Sequence, residues 1–312
     1  MVSAESFNIS VIVCTKNRQE KLFETIDSIV SQKTNNNITY EILIIDSSRD
    51  NSIKNKLLER YSNFVNYYWD SNLNLSEARN FGINLAKGKI LAFIDDDGIA
   101  EESWLLEHYK MYTDPSVVSV GGKIVPKWSS EIPNWLSSEV LAYFGGHLSL
   151  LDIGPSVKQI EFPEIPYGCN MSFRKDIFFG NIFFDRRLGR MGNTLMSNEE
   201  LYLYYLLGQN GKKVMYTPFA IVNHQIDSTR LTKSFFDRRS YWGGISDARM
   251  HKIIWNKNQR LIKFLKFIFS KIPKNMIGYI LYSLFLRKSD KAFYYKLKLI
   301  YRSAYIIELL RL

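Results

Sequence analysis

Cysteine is nearly missing from this sequence: there are two in 312 residues, Cys14 inside an apolar run and Cys169 after a glycine. Neither has a C-x-x-C neighbour, which argues against a zinc centre or a disulfide framework and fits a reducing compartment. A glycine-rich turn is missing where a dinucleotide fold needs one. The first apolar segment runs into "CTKNRQEK", so backbone cannot approach a pyrophosphate there as it does in G-x-G-x-x-G or Walker loops, which argues against NAD, FAD and ATP folds. Long apolar runs are missing too. The longest in the C-terminal region, "MIGYILYSLFL" (276–286), is far short of the ~20 residues that span a bilayer. The opening residues, MVSAESFNIS, lack the basic-then-apolar layout of a signal peptide, so the expected location is cytoplasmic. There is no internal repeat and no low-complexity segment. Acid is scarce at one end: residues 252–312 hold 14 Lys or Arg against Asp290 and Glu308, whereas residues 1–251 hold 27 bases and 29 acids. The body is near neutral and the C-terminal region strongly basic, which points to an anionic membrane surface, nucleic acid or an acidic partner.

What is present in the first half is alternation. "NISVIVC" (8–14), "YEILIID" (40–46), "FVNYYW" (64–69), "KILAFID" (89–95) and "SVVSVGG" (116–122) read as strands. Helical spacing separates them at 19–32, 50–61, from Ser76 as cap to about Ala86, and 101–112. Such alternation predicts an α/β fold, a mostly parallel sheet flanked by helices on both faces. Residues 123–166 read as an irregular, aromatic loop region suited to recognition, with five prolines and with Trp128, Trp135, Tyr143 and Phe144. "YGCNMSFRKDIF" (167–178) reads as a strand returning to the sheet, a helix follows from about Asn198 to Gly208, and "KVMYTPFAIVNH" (213–224) is a further strand. From 231 onward the spacing is helical. The division expected is a catalytic domain over 1–251 and a basic helical extension over 252–312.

Open α/β sheets bind ligands at the carboxyl ends of their strands. Asp95, Asp96 and Asp97 stand side by side at one such end, in "FIDDDG". Three adjacent carboxylates repel one another unless water or a cation offsets the charge. Mg²⁺ and Mn²⁺ take one or two carboxylates and complete their shell with phosphates and water, so a divalent cation with a diphosphate answers the repulsion; a polar turn capping the next helix is the alternative. Asp46, ending the second strand, suits a base or ribose contact or an Asx turn. Thr15 and Arg18 suit a nucleotide or a solvated helix start. His224 ends a strand and is either a further metal ligand or a structural imidazole. Glu199 and Glu200 open a helix; one can serve as general base, or Glu200 can close a capping box with Ser197. In "TRLTKSFFDRRSYWGG" (229–244), Arg230 is the cation nearest His224 in sequence and the candidate for holding a diphosphate; the other bases read as a solvated helix face.

The pieces "SVIVCTKNRQEKLFETIDSIVSQ", "YEILIIDSS", "NLSEARNFGINLAKGKILAFIDDDG", "YGCNMSFRKDIF" and "SNEELYL" together resemble the family 2 glycosyltransferases, over about residues 8–250. The resemblance implies the GT-A fold and an inverting transfer from a nucleoside-diphosphate sugar, commonly a UDP-sugar, to a glycan or lipid-linked acceptor. It implies that Thr15, Arg18, Asp46 and Arg79 line the nucleotide pocket, that Asp95 and Asp96 lie toward the ribose, and that Asp97 binds Mn²⁺ or Mg²⁺ with His224 as a plausible second ligand. It places the base in "NEE", favouring Glu200 over Glu199, although Asn198 and Glu200 depart from the family's usual Gly and Asp. A sugar nucleotidyltransferase is the rival enzyme, and a non-catalytic carbohydrate- or membrane-binding protein the rival of another class.

Residues 252–312 lie outside the resemblance. Ile, Leu, Phe and Trp alternate there with Lys at near-helical spacing, the profile of amphipathic helices lying on anionic lipid. Bulky aliphatics suit lipid better than a phosphate track, so nucleic acid is not expected. The location expected is peripheral, at the inner face of the cell membrane.

Overall fold

The computed structural model describes residues 7–34, 38–62, 64–180 and 182–311; most of the opening MVSAESFNIS segment lies outside them. The elements run β1 (Ile9–Thr15), α1 (Gln19–Val30), β2 (Tyr40–Asp46), α2 (Lys54–Tyr61), β3 (Val65–Trp69), α3 (Leu75–Leu85), β4 (Ile90–Asp95), β5 (Gly98–Ala100), α4 (Trp104–Met111), β6 (Val117–Trp128), α5 (Ser138–Phe144), β7 (Lys158–Ile160), β8 (Met171–Arg174), α6 (Glu199–Gln209), β9 (Lys213–Ile226), α7 (Lys233–Ile254), α8 (Lys257–Lys266), α9 (Ile272–Ile280) and α10 (Ser289–Leu310). They fall into two compact units. One gathers the chain to Lys127 with Ser149–Arg187 and Glu199–Gln225; the other gathers Trp128–Leu148, Leu188–Asn198 and Ile226 onward.

The first unit is built on a nine-stranded sheet in the order β3-β2-β1-β4-β8-β6-β9-β5, with β7 on β9. Period-two alternation sorts its apolar residues onto two faces. Ile9, Val11 and Val13 join Ile42, Ile44, Ala92 and Ile94 on one face, under Leu22, Ile26 and Ile29 of α1. Ile12, Leu43, Ile45, Leu91 and Phe93 face the other way, under Ala78 and Ile83 of α3 and Leu203 and Leu207 of α6. Each such side chain, fully buried, contributes about 1.5–3 kcal/mol. The predicted α/β layering is present. β1 pairs in parallel with β2 and β4, and β2 with β3. The other half of the sheet departs from the parallel expectation. β8 runs antiparallel to β4 and β6, and β5 and β7 run antiparallel to β9.

Local details differ from the sequence reading where side chains compete for a role. Asn74, not Ser76, caps α3: its side chain accepts from the Glu77 amide, and Glu77 reaches back to the Asn74 amide. Ser76 is buried instead and donates to the Asp185 carbonyl at 3.3 Å. The strand expected over 167–178 is four residues long, followed by a 3-10 turn at Lys175–Phe178.

The second unit is mainly helical. α10 packs along α7, α9 and α5. Gly244 of α7 makes the closest approach: a Cβ there would lie 2.1 Å from the Tyr301 carbonyl oxygen of α10. Trp135, expected in a recognition loop, is a packing residue, its ring set edge-on against Phe236 and Phe293 at 5.3 and 5.0 Å.

Candidate active site

Register aligns the strand ends. Thr15 pairs with Asp46, and Cys14 with Asp95. The carboxyl ends of β1, β2 and β4 therefore meet, as the parallel half of the sheet requires. Thr15 Oγ1 donates to Asp96 Oδ2 at 2.8 Å. Arg18 follows β1 directly and reaches the aspartates with a single nitrogen: Nη1 donates to Asp96 Oδ1 at 3.0 Å and to Asp97 Oδ2 at 2.9 Å. Burial pushes the Asp96 carboxyl up to about 6, with Asp97 adding to the rise and Arg18 opposing it. The Arg18 guanidinium itself is held above its ordinary range: burial works against its charge, and Asp96 and Asp97 outweigh burial. The repulsion anticipated from three adjacent acids is therefore real at Asp96, and a cation already answers part of it.

His224 arrives from a strand far along the chain. β5 follows the aspartates immediately, and its pairing with β9 sets Gly98 opposite His224. The Gln225 amide donates to the Asp97 carbonyl at 2.9 Å. His224 Nε2 then lies 3.2 Å from Asp97 Oδ1, with both side chains almost fully buried. Neighbouring ligand atoms of an octahedral ion with bonds of about 2.1 Å stand ~3 Å apart, so this pair fits two positions around a divalent cation. Among the described residues no cluster of three or more His, Cys, Asp or Glu could hold a metal. A bound ion would complete its shell with donor phosphates and water, as Mg²⁺ commonly does.

The second carboxylate group is organised by one buried arginine. Arg79 sits on the inward face of α3, with Ala78, Gly82 and Ile83. Its Nη1 donates to Glu199 Oε1 at 3.0 Å and to Glu200 Oε1 at 2.9 Å, and its Nη2 lies 3.6 Å from Asp95 Oδ1. The Phe184 ring lies 5.3 Å from the guanidinium carbon. Burial works against the Arg79 charge, and Glu200, Glu199 and Asp95 together hold it above its ordinary range. Both glutamates stand in the first turn of α6, where exposed backbone amides favour negative charge. The Glu199 side chain is 2% exposed and that of Glu200 16%. Glu200 is thus the one with solvent access. Burial also pushes the neighbouring Cys14 thiol up to about 12, so it stays protonated.

Of the residues singled out in the sequence, Thr15, Arg18, Asp96, Asp97 and His224 form one connected cluster. Arg79 ties Glu199 and Glu200 to Asp95. Asp46 forms an Asx turn: buried, it accepts from the Ser48 amide at 2.8 Å and from the Tyr67 hydroxyl at 2.7 Å. Arg230 lies in the second unit, in the turn Ser228–Arg230. Two participants escaped the sequence reading. Tyr67 fixes Asp46 from β3. Gly168 leaves room for the arginine cluster, since a Cβ there would lie 2.1 Å from Arg79 Nη2 and 2.4 Å from Glu200 Oε1. Arg79 could have been found as more than a surface charge: it lies three residues after Ser76 and four before Ile83, on the helix face that is buried.

The sequence model of "Glycosyl transferase family 2" matches residues 10–178. A glucosyl-dolichyl phosphate glucuronosyltransferase of Haloferax volcanii is 28% identical over 253 residues, covering 78% of this chain and 77% of the relative. The succinoglycan biosynthesis protein ExoM of Rhizobium meliloti is 22% identical, covering 79% of this chain and 76% of its own. Among solved structures, GalNAc-T7 with UDP, GalNAc and Mn²⁺ superimposes with a TM-score of 0.53 at 16% identity, a likeness of fold. It covers 78% of this chain, which spans about half of that protein's length, 51%.

Proposed function

The chain belongs to glycosyl transferase family 2, a glycosyltransferase of GT-A fold, and from that premise we propose that it moves a sugar from a nucleoside-diphosphate sugar, of UDP type, to a hydroxyl of a glycan or lipid-linked acceptor, with inversion. The observation that carries this reading is the pairing of two charged groups at the sheet's carboxyl edge. On one side the Thr15, Arg18, Asp96, Asp97 and His224 cluster suits a diphosphate. On the other, Glu200 is held at one oxygen by Arg79.

In the proposed reaction, Glu200 takes the proton of the acceptor hydroxyl. That oxygen attacks the anomeric carbon from the face opposite the diphosphate, and the bond from carbon to the diphosphate oxygen breaks, leaving the nucleoside diphosphate. Glu199, almost without solvent access, holds Arg79 in place. Arg18 turns from Asp96 and Asp97 to the departing diphosphate, where a cation stabilises developing charge. Asp95 and Asp96 face the ribose side. Asp97 and His224 would hold Mn²⁺ or Mg²⁺, which as a Lewis acid would neutralise charge on the leaving diphosphate. Support for the metal also comes from the Mn²⁺ in the GalNAc-T7 structure. Support for a lipid-linked acceptor comes from the glucosyl-dolichyl phosphate in the name of the Haloferax relative. No helix among the described residues is long and apolar enough to cross a membrane, and we place the enzyme peripherally at the inner face of the cell membrane, on the basic C-terminal region. No observation favours the nucleotidyltransferase or non-catalytic readings. Sugar transfer by Asp97→Ala and Glu200→Ala, measured with a UDP-sugar panel and Mn²⁺, should fall by about 10²–10⁴. Full activity in both variants would sink the assignment.

A further inference from the structure

We propose that residues 257–286, and not the whole basic region, are a bilayer-reading element: two helical segments whose outer apolar faces lie in the interface of an anionic membrane, while α10 is their internal support. This rests on the transferase reading only for its purpose, which is to bring the enzyme to lipid-linked acceptors.

α8 carries apolar residues on two sides. Phe264, Phe267 and Ile268, running on into the π-helical turn Phe267–Lys271, pack with Ala248 of α7 and Tyr305 of α10. That is the inward face. Leu261, Ile262, Leu265 and Phe269 recur at the spacing of one helix face and are left outside, with Phe269 76% exposed. α9 and the following π-helical turn Leu281–Phe285 repeat the arrangement. Gly278 and Tyr282 lie against the Tyr295 ring of α10, while Ile277, Ile280, Leu284 and Phe285 face outward, Phe285 at 74%. Single exposed apolar residues are ordinary, but two contiguous rows are not.

Charge identifies the occupant. From Lys257 to Lys288 there are eight Lys or Arg and no Asp or Glu. A second copy of the chain would set eight positive charges against eight, which opposes a self-docked face. An apolar row bordered by unbroken positive charge matches the boundary between acyl chains and anionic headgroups. Lys side chains there can lay their stems on apolar surface and keep the ammonium in water. Lys263 instead sets its ammonium over the Trp255 and Phe267 rings, at 5.8 and 5.1 Å, as a cation–π contact. α10 does not share this character: its Phe293, Leu297 and Tyr305 are buried. Since no described helix can cross a bilayer, the element lies in the plane of the interface.

The test sediments the full chain with vesicles of phosphatidylcholine alone and of phosphatidylcholine mixed with phosphatidylglycerol. The wild type should pellet with the anionic vesicles only. Phe269→Glu combined with Phe285→Glu should lose about tenfold or more in partitioning, with melting temperature unchanged because both positions are exposed. Ile307→Glu, at an exposed apolar site on α10, should pellet like the wild type. Hydrolysis of a UDP-sugar in free solution is followed for all three. Vesicle binding without hydrolysis in any protein would leave this proposal standing and count against the UDP-sugar donor of the proposed function. Equal pelleting of the double variant overturns the proposal whatever the hydrolysis shows. So does a wild type that ignores vesicles and forms a dimer that the double variant breaks.

Discussion

A methyl group at position 168 would press on Arg79 Nη2 and Glu200 Oε1 together, at 2.1 and 2.4 Å. Both atoms belong to an ion pair in a buried setting, so neither moves without the other, and the displacement falls on the proposed base. Gly168→Ala should therefore lower sugar transfer by about tenfold or more, equivalent to about 1.4 kcal/mol of transition-state stabilisation. Its melting temperature should shift by only a few degrees, as expected for about 1 kcal/mol. Equal activity to wild type would show that the Arg79 cluster tolerates rearrangement. Residue identities were legible here where a charge stood out against its context: three aspartates at the end of an apolar strand, two glutamates opening a helix. Gly168 was not legible. Nothing in "PYGCN" signals that a buried guanidinium, 89 positions earlier, passes within contact of its α-carbon. At Asp46 the strand-end position suited either a ligand contact or an Asx turn; the turn is present, with the Ser48 amide and the Tyr67 hydroxyl each donating to one oxygen.

Elements carry two further expectations. α4 is fastened to β8 through His108, whose Nε2 meets Asn170 Oδ1 at 2.9 Å and whose Nδ1 accepts from Ser172 Oγ at 2.8 Å. Burial pulls the His108 imidazole down to about 4, with Asn170 opposing the fall. Below pH ~6.5 the unfolded chain takes up a proton that the folded chain refuses, so stability drops as pH falls from there toward about 4, by at most about 3 kcal/mol. Thermal melts across that range should show the slope, and His108→Gln should flatten it. An unchanged slope would assign the acid sensitivity to other groups. The α7–α10 pairing is the second case. With a Cβ at Gly244 only 2.1 Å from the Tyr301 carbonyl oxygen, the helices must separate to admit it. Gly244→Ala should lower unfolding free energy by about 1–3 kcal/mol, measured by urea titration. β1, β2 and β4 of the parallel half were readable as near-continuous apolar runs, buried on both faces. β5, three residues long, was not, because a strand that short leaves no period to read; its partner β9 is what makes it a strand.

At the scale of the whole molecule, composition foretold the contrast between a near-neutral body and a basic C-terminal region. It did not foretell that this region serves two ends. Hydrophobic spacing alone cannot say which apolar face of a helix is already covered, and only packing separates α10, whose Phe293, Leu297 and Tyr305 are buried, from residues 257–286, which carry outward apolar rows on one side. Nor did the sequence show that the chain leaves its sheet-bearing unit at Trp128 and Leu188 before returning at Ser149 and Glu199. Such excursions depend on contacts distant in sequence, to which local pattern is blind.

The pairing of β5 with β9 also has a consequence for the order of synthesis. The chain emerges from the ribosome with Thr15, Arg18, Asp46, Arg79 and Asp95–Asp97 already made by residue 97, and Glu199, Glu200 and His224 follow more than a hundred residues later. A nascent chain that has reached Asp97 owns Thr15, Arg18, Arg79 and the three aspartates but neither carboxylate of α6 and no imidazole opposite Gly98. Under the proposed roles, most donor-side residues are thus translated first, and the base and the imidazole come only with α6 and β9.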